Sequence, residues 1–363
     1  MSSLSTAAAL ERALDDLVEH ARTPGLQYVV VNASSTLFER YAGVADITGQ
    51  RPMRAGITMM AYSMSKTVTA AAVLQLVESN RVRLDDPVAR YVSPQPYGSE
   101  FTVRQLLSHT SGTPNPIPLR WVHPSSAHET FDERAELARV LRRHGQLAFT
   151  PGTRFKYSNI GYWLLGGVVE QASGQPFTSY VTGHVLGPLG VGPDQLAYAI
   201  RDPATHAAGY LEKYSLFNLI KPWLIDRALI GGFEGPWLRI RDHYLNGPAF
   251  GGLVGTAAGF GAFLRDQLAA HSCLFGDQTR ALFVEPQRTA RGTIPMTLGW
   301  HMGSGDGTTH LFKEGGGGGF HCMMRLYPRE QLGTVLMTNA TGLDVKAALD
   351  RVDAIAREWA TSP

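Results

Sequence analysis

The sequence predicts a mixed α/β (α+β) protein. A discontinuous α/β lobe, residues 1–80 and 250–363, is interrupted by a mainly helical lobe, 81–249. Three observations carry this. Short apolar runs with strand character gather toward both ends of the chain. Helical spacing of apolar residues dominates the middle, the arrangement expected when one lobe is inserted into another. With 363 residues, 44% of them hydrophobic, the chain can bury more than one core.

Leu10, Leu14, Leu17 and Val18 recur at helical spacing, so 5–20 reads as an opening helix, broken at Thr23-Pro24-Gly25. Residues 26–32, with Tyr28-Val29-Val30-Val31, read as a buried strand, and 36–43 as its hairpin partner. A link rich in Gly and Pro leads to Met59-Met60-Ala61. Then Met64, Val68, Ala71, Ala72, Leu74, Leu76 and Val77 mark a long buried amphipathic helix. Leu84-Asp85-Asp86-Pro87-Val88 is a turn whose proline suits a first helical position. A short helix over 102–107 stops at Ser108-His109-Thr110-Ser111-Gly112, where His109 is read as structural rather than as a general base. Leu137, Val140 and Leu141 among charges make 132–145 a surface helix, and 163–170 is an apolar one. Beyond the glycine-rich 251–257, residues 258–270 are helical. Runs at 297–301, 310–312, 322–327 and 333–339 read as strands, and Val345, Ala348, Leu349, Val352, Ile355, Ala356 and Trp359 form a closing helical stripe. The segment 210–248 is dense in large apolar residues, with Gly231, Gly232, Gly235 and Pro236 interrupting it. Two readings stay open for it: a pair of helices completing a core, or a wall giving an acyl or alcohol group a dry place to bind.

The charge balance is nearly even, 33 basic against 31 acidic residues, net +2. It gives no general electrostatic case for nucleic acid or an anionic membrane surface. Two cysteines, Cys273 and Cys322, are too few for a disulfide framework. No window approaches ~20 consecutive apolar residues, and Met1-Ser2-Ser3-Leu4-Ser5 lacks a basic secretory n-region. The expectation is a cytoplasmic protein with no membrane and no nucleic-acid partner. No cofactor is expected: no His-Glu-x-x-His occurs for zinc. Nor is there a Gly-x-Ser-x-Gly nucleophile elbow.

The chemistry concentrates in three clusters. Ser63-x-x-Lys66 opens the helix after Met59-Met60-Ala61, and residues three apart share a helix face. A serine hydroxyl is a weak nucleophile until a base takes its proton. A lysine amine serves when burial or a neighbouring cation keeps it neutral. First-turn backbone N–H groups can face a developing oxyanion. Taken alone, the motif also fits a serine N-cap. The second cluster, Tyr157-Ser158-Asn159, precedes the apolar helix. A tyrosine near an ammonium can relay protons or hold a phenolate, and Asn159 offers donor and acceptor to a substrate or to Lys66. The third, Lys313-Glu314 followed by the tract Gly315 to Gly319, lies between two strand-like runs. There glycine permits close backbone approach, and Lys313 supplies a cation that would depress the pKa of Lys66 or Tyr157.

In this order, Ser63-x-x-Lys66, Tyr157-x-Asn159 and Lys313-x-Gly315 resemble the serine β-lactamase and penicillin-binding protein superfamily. The Tyr-x-Asn form is similar to its class C branch, which includes the family VIII carboxylesterases and D-amino-acid peptidases. The likeness runs through Leu84-Asp85-Asp86-Pro87-Val88, Leu106-Leu107-Ser108-His109-Thr110-Ser111-Gly112 and Pro188-Leu189-Gly190. The resemblance implies a β-lactamase-like fold, an antiparallel sheet flanked by N- and C-terminal helices plus an inserted mainly helical domain. It implies Ser63 as acylated nucleophile, Lys66 as its base partner and Tyr157 as proton shuttle. Asn159, Lys313 and Gly315 would hold substrate, and the backbone N–H groups of Ser63 and Gly316 would form the oxyanion hole. Glu314 and Gly316 stand where the family carries hydroxyl residues, a departure in the region that would hold a β-lactam carboxylate. The expected activity is therefore a carboxylesterase acting on small to medium apolar esters. The alternatives are a β-lactamase, a D-stereospecific peptidase or amidase, an acyltransferase, and a non-catalytic penicillin-recognising protein.

Overall fold

Gly25–Val31 is buried along its whole length. It pairs antiparallel with Leu332–Thr338 on one side and Thr36–Asp46 on the other. The computed structural model describes residues 3–20, 22–116, 121–213, 227–305 and 307–361. Around this strand lies a seven-stranded antiparallel sheet in the order His301–Gly305, Thr308–Gly317, Phe320–Tyr327, Leu332–Thr338, Gly25–Val31, Thr36–Asp46, Arg51–Pro52. Both ends of the chain thus meet at the sheet's centre.

Successive side chains of a strand point to opposite faces. Leu26, Tyr28 and Val30 pack against Leu10 and Leu14 of the helix Ser3–Glu19 and Leu349 and Val352 of the helix Val345–Thr361. Val29 and Val31 join the main core with Phe260, Phe263 and Leu264 of the helix Ala257–Leu268. Burial on both faces explains why these residues read as a continuous apolar run. The carboxylate of Asp353 pins the last helix to the sheet. It accepts from the hydroxyls of Tyr28 (2.8 Å), Tyr327 (2.7 Å) and Thr334 (3.0 Å) and lies 3.6 Å from the Arg325 guanidinium.

The helix Ser65–Glu78 packs against the helices Asn159–Ser173, Pro248–Gly251 and Asp277–Val284. It is buried nearly all round rather than amphipathic, because small and aliphatic residues occupy every face.

Two further expectations change. The stretch 297–301 is strand only from His301. Gly299 has φ of +124°, and a Cβ there would lie 2.6 Å from Ala70 Cβ, so the backbone turns to press against the helix Ser65–Glu78. Thr67 Oγ1 donates to the Gly299 carbonyl at 3.0 Å, holding it there. The second change concerns 210–248, whose described part forms strands, not a helix pair. Gly209–Glu212, Trp237–Ile240 and Ile230–Glu234 make a three-stranded sheet. His243–Leu245 pairs with Val122–Pro124 as a two-stranded ribbon. β-Branched and aromatic residues with a Gly235-Pro236 corner favour this outcome; Gly235 has φ of +62°. The Tyr214, Phe217 and Trp223 part of that stretch lies outside the described residues.

Candidate active site

Ser63 sits on a single 3₁₀ turn, Tyr62–Met64, immediately before the helix Ser65–Glu78. Tyr62 adopts φ of +45°, a left-handed conformation costing a side-chain-bearing residue about 1–2 kcal/mol. The strain presents the serine above the helix entrance. Lys66 follows one turn on, and its Nζ lies 2.9 Å from Ser63 Oγ.

Tyr157 and Asn159 are delivered by a helix start. Ser158 is the N-cap of Asn159–Ser173, its hydroxyl accepting from the Gly161 N–H at 3.0 Å. The cap fixes the flanking residues. Tyr157 donates its hydroxyl to Ser63 Oγ at 2.6 Å, and Asn159 Oδ1 accepts from Lys66 Nζ at 2.7 Å. The Phe250 carbonyl also accepts from Lys66, at 2.5 Å. Two of the amine's three partners are therefore acceptors. A neutral amine has two N–H groups for them and one lone pair, which then faces Ser63 Oγ. Burial, reinforced by the nearby Lys313 charge, pushes the Lys66 pKa far below its usual value.

Lys313 enters from the strand Thr308–Gly317. Alternation along that strand buries Lys313 and Gly315 and turns Glu314 outward, where it meets His321 Nε2 at 2.7 Å. The Lys313 amine lies 5.6 Å from the Tyr157 and Tyr162 ring centres and 3.5 Å from His301 Nε2. Burial lowers its pKa to about 7. The same burial keeps His301 neutral, with a pKa of about 3. Tyr157 departs from expectation. Lys313 does not draw it toward phenolate; burial pushes its pKa well above the ordinary value and the hydroxyl stays protonated.

The glycine tract is strand and hairpin, not a linker, since Thr308–Gly317 runs into Phe320–Tyr327. Its composition follows from crowding. A Cβ on Gly315 would overlap the Ala61 carbonyl oxygen and lie 3.0 Å from the Ser63 nitrogen, and one on Gly317 would lie 2.5 Å from the Tyr62 ring. Only a bare backbone can come this close to the serine turn. Ser63, Asn159 and Gly316 line one cavity of about 320 Å³. Its walls are mostly apolar: Val122, Leu229, Ile240, Leu245 and Phe250, so the 210–248 segment contributes wall.

Several contributors carried no spacing signal: Tyr62, His243 and His301, and the Phe250 carbonyl. His109 lies beneath the site, 1% exposed, its ring 4.5 Å from that of Tyr157, its Nδ1 accepting from the Ser158 N–H at 3.2 Å. That is the structural role expected of it, here as a support for the phenol.

A model of the Beta-lactamase family matches residues 10–357. The chain belongs to the beta-lactamase family. Relatives within reach of it differ in activity. A D-aminopeptidase of Cereibacter sphaeroides is 31% identical over 202 residues, 56% of this chain and 39% of that protein. Esterase EstB of Burkholderia gladioli is 32% identical over 209 residues, 53% of this chain and 52% of that protein. The matches thus span about half or less of the length of these curated relatives. Among solved structures, D-amino acid amidase from Ochrobactrum anthropi SV3 superposes with a TM-score of 0.82 over 97% of this chain and 99% of its own, at 19% identity. The protein SurE superposes with a TM-score of 0.75 at 26% identity, over 97% of this chain and 76% of its own. The amidase likeness establishes the beta-lactamase-type fold, with its antiparallel sheet and flanking helices. Among the described residues of this family member, no helix is long and apolar enough to cross a membrane.

Proposed function

We propose that the chain is a serine carboxylesterase that hydrolyses small to medium apolar carboxylic esters through an acyl-Ser63 intermediate. One observation carries the reading: Ser63 Oγ lies 2.9 Å from a lysine amine and 2.6 Å from a tyrosine hydroxyl at the edge of a largely apolar cavity. Lys66, kept neutral, takes the serine proton as Oγ attacks the ester carbonyl carbon. The tetrahedral oxyanion faces the backbone N–H groups of Ser63 and Gly316, a contribution worth ~10²–10³ in turnover per donor. Collapse breaks the ester C–O bond. Tyr157 protonates the leaving alkoxide and regains a proton from the Lys66 ammonium. A water then attacks the acyl carbon, giving one proton to the same pair; collapse breaks the bond from the acyl carbon to Ser63 Oγ, the pair returns the proton to Oγ, and the acid leaves.

A D-stereospecific amidase is the second reading, favoured by the D-aminopeptidase relative. Against it, no carboxylate among the described residues lines the cavity to hold an α-ammonium group. A β-lactamase needs a cation for the substrate carboxylate, and Lys313 is drawn instead into the aromatic rings and His301. The deciding assay compares p-nitrophenyl butyrate, a D-amino-acid p-nitroanilide and a chromogenic cephalosporin on wild type and Ser63→Ala. Ester turnover lost in the variant, with little turnover of the other two, supports the esterase. Preferred cleavage of either nitrogen substrate overturns it.

A further inference from the structure

Tyr62 is the residue before the nucleophile, and its side chain reaches away from the serine turn to two other parts of the molecule. Its ring covers Gly317, whose missing Cβ would lie 2.5 Å from the ring. Its hydroxyl is 2.9 Å from the Gly318 carbonyl oxygen and 3.1 Å from His243 Nε2. His243 stands on the ribbon His243–Leu245, and its Nδ1 is 2.9 Å from the Arg241 carbonyl. A carbonyl accepts only, so Nδ1 carries the ring's proton and Nε2 is an acceptor; the single Tyr62 hydroxyl proton is shared between the Gly318 carbonyl and Nε2 as a three-centre bond. One phenol thus joins the serine turn, the Gly316–Gly318 backbone and the cavity wall. His243 is 4% exposed and Tyr62 3%, so these bonds are shielded from water.

We propose that Tyr62 and His243 are positioning residues for the oxyanion hole: they set how far the Gly316 amide stands from the Ser63 amide. The proposal rests on the ester-hydrolase reading for its kinetic consequence, but its geometric content does not. The two amides sit on unconnected segments, and a misplacement of about 1 Å at a reacting centre costs on the order of 10² in rate. The left-handed Tyr62 backbone belongs to the same arrangement, since it turns the side chain toward the hairpin while the next residue presents Oγ. The hairpin has a separate anchor on its other side. Thr341 Oγ1 accepts from the Gly319 N–H at 2.8 Å and donates to the Gly317 carbonyl at 2.5 Å. Loss of the phenol hydroxyl therefore loosens the strand without unfolding it.

The test uses the full chain as wild type, Tyr62→Phe, His243→Leu, His243→Gln and the Tyr62→Phe/His243→Leu double variant. Two readouts are taken: kcat and KM on p-nitrophenyl butyrate, and amide hydrogen exchange across the peptide containing Gly315 to Gly319. Tyr62→Phe keeps the ring over Gly317, so kcat should fall about 10- to 100-fold with KM changed less than about threefold. Exchange in the glycine peptide should quicken while that of the helix Ser65–Glu78 stays the same. His243→Leu should act in the same direction. His243→Gln, which can present an amide oxygen near the Nε2 position, should restore most of kcat. The double variant should be no worse than Tyr62→Phe, because both changes break one linkage. Unchanged kcat and exchange in Tyr62→Phe, a rise in KM alone, or losses that multiply in the double variant would each overturn the proposal. Faster exchange in Tyr62→Phe from a wild type that leaves esters intact would uphold the clamp and remove the esterase reading instead.

Discussion

Lys66 and Lys313 are both buried among aromatic rings, where the uncharged amine is favoured over the ammonium. For Lys313 the native pKa is about 7 against an ordinary 10.5. Below the native value both folded and unfolded chains hold the proton, and the fold bears the whole cost of burying it. Between the two values the unfolded chain binds a proton that the native one lacks, so stability climbs with pH, by up to about 1.4 kcal/mol per unit. Lys313→Met removes that climb. Its stability advantage over wild type should therefore shrink between about pH 6 and about pH 9 when urea midpoints are compared; an advantage that grows with pH would contradict the assignment. The same variant should move the rising limb of kcat/KM to higher pH, since the Lys313 charge helps to depress Lys66. Tyr157→Phe deletes a hydroxyl whose partner is Ser63 Oγ. Turnover should drop roughly 10²–10⁴-fold with little change in melting temperature, and near-normal turnover would exclude the phenol from proton transfer. Ser63, Lys66, Tyr157, Asn159 and Lys313 were legible because each sits in a spaced pattern beside a helix start or a strand. Tyr62, His243 and His301 are single residues whose neighbours arrive from distant segments. Spacing along the chain says nothing about them, and a backbone carbonyl such as that of Phe250 has no side-chain signature at all.

At the scale of elements, the strand Thr308–Gly317 and the serine turn behave as one assembly, separated by the thickness of a bare backbone. Gly315→Ala forces the strand away from Ala61 and Ser63. Overpacking of this kind costs about 1–3 kcal/mol, and the larger effect should be kinetic, a fall in kcat beyond what the lost stability explains. A variant with normal kcat would show that the strand's closeness is incidental. The wall segments invite a different substitution. Leu229→Ala enlarges the cavity on its apolar side, so p-nitrophenyl octanoate should gain on the butyrate in kcat/KM by about tenfold or more. An unchanged ratio would put Leu229 outside acyl recognition. Main-sheet strands and terminal helices were readable from periodicity and turn residues. The 210–248 segment was not, because crowded large apolar residues fit either a buried helix or a strand, and partners far off in sequence decide between them. Residues 297–300 failed for a similar reason: Trp300 packs against Phe263 and Phe283 from a backbone turn that Gly299 makes possible, its φ being +124°.

For the molecule as a whole, the seven-stranded sheet depends on contacts between early and late segments of the chain. Asp353→Ala would leave Tyr28, Tyr327 and Thr334 short of an acceptor and remove a carboxylate beside the buried Arg325. The loss should be about 3 kcal/mol or more, read as a lower urea midpoint, and a change below about 1 kcal/mol would mean the network is not what holds the last helix. That early and late segments share one sheet was foreseeable, since strand-like runs appear toward both ends of the sequence; its register, Leu26 opposite Thr338, was not. The pairing also bears on how the chain comes into being. Tyr28 waits for a partner 325 positions downstream, and closing so long a loop is slow and leaves apolar surface bare in the meantime. A nascent chain emerging from the ribosome would carry Ser63, Lys66 and Tyr157 long before the strand Gly25–Val31 gains its second neighbour. The crevice can first form only after Leu332–Thr338 and the helix Val345–Thr361 have been made.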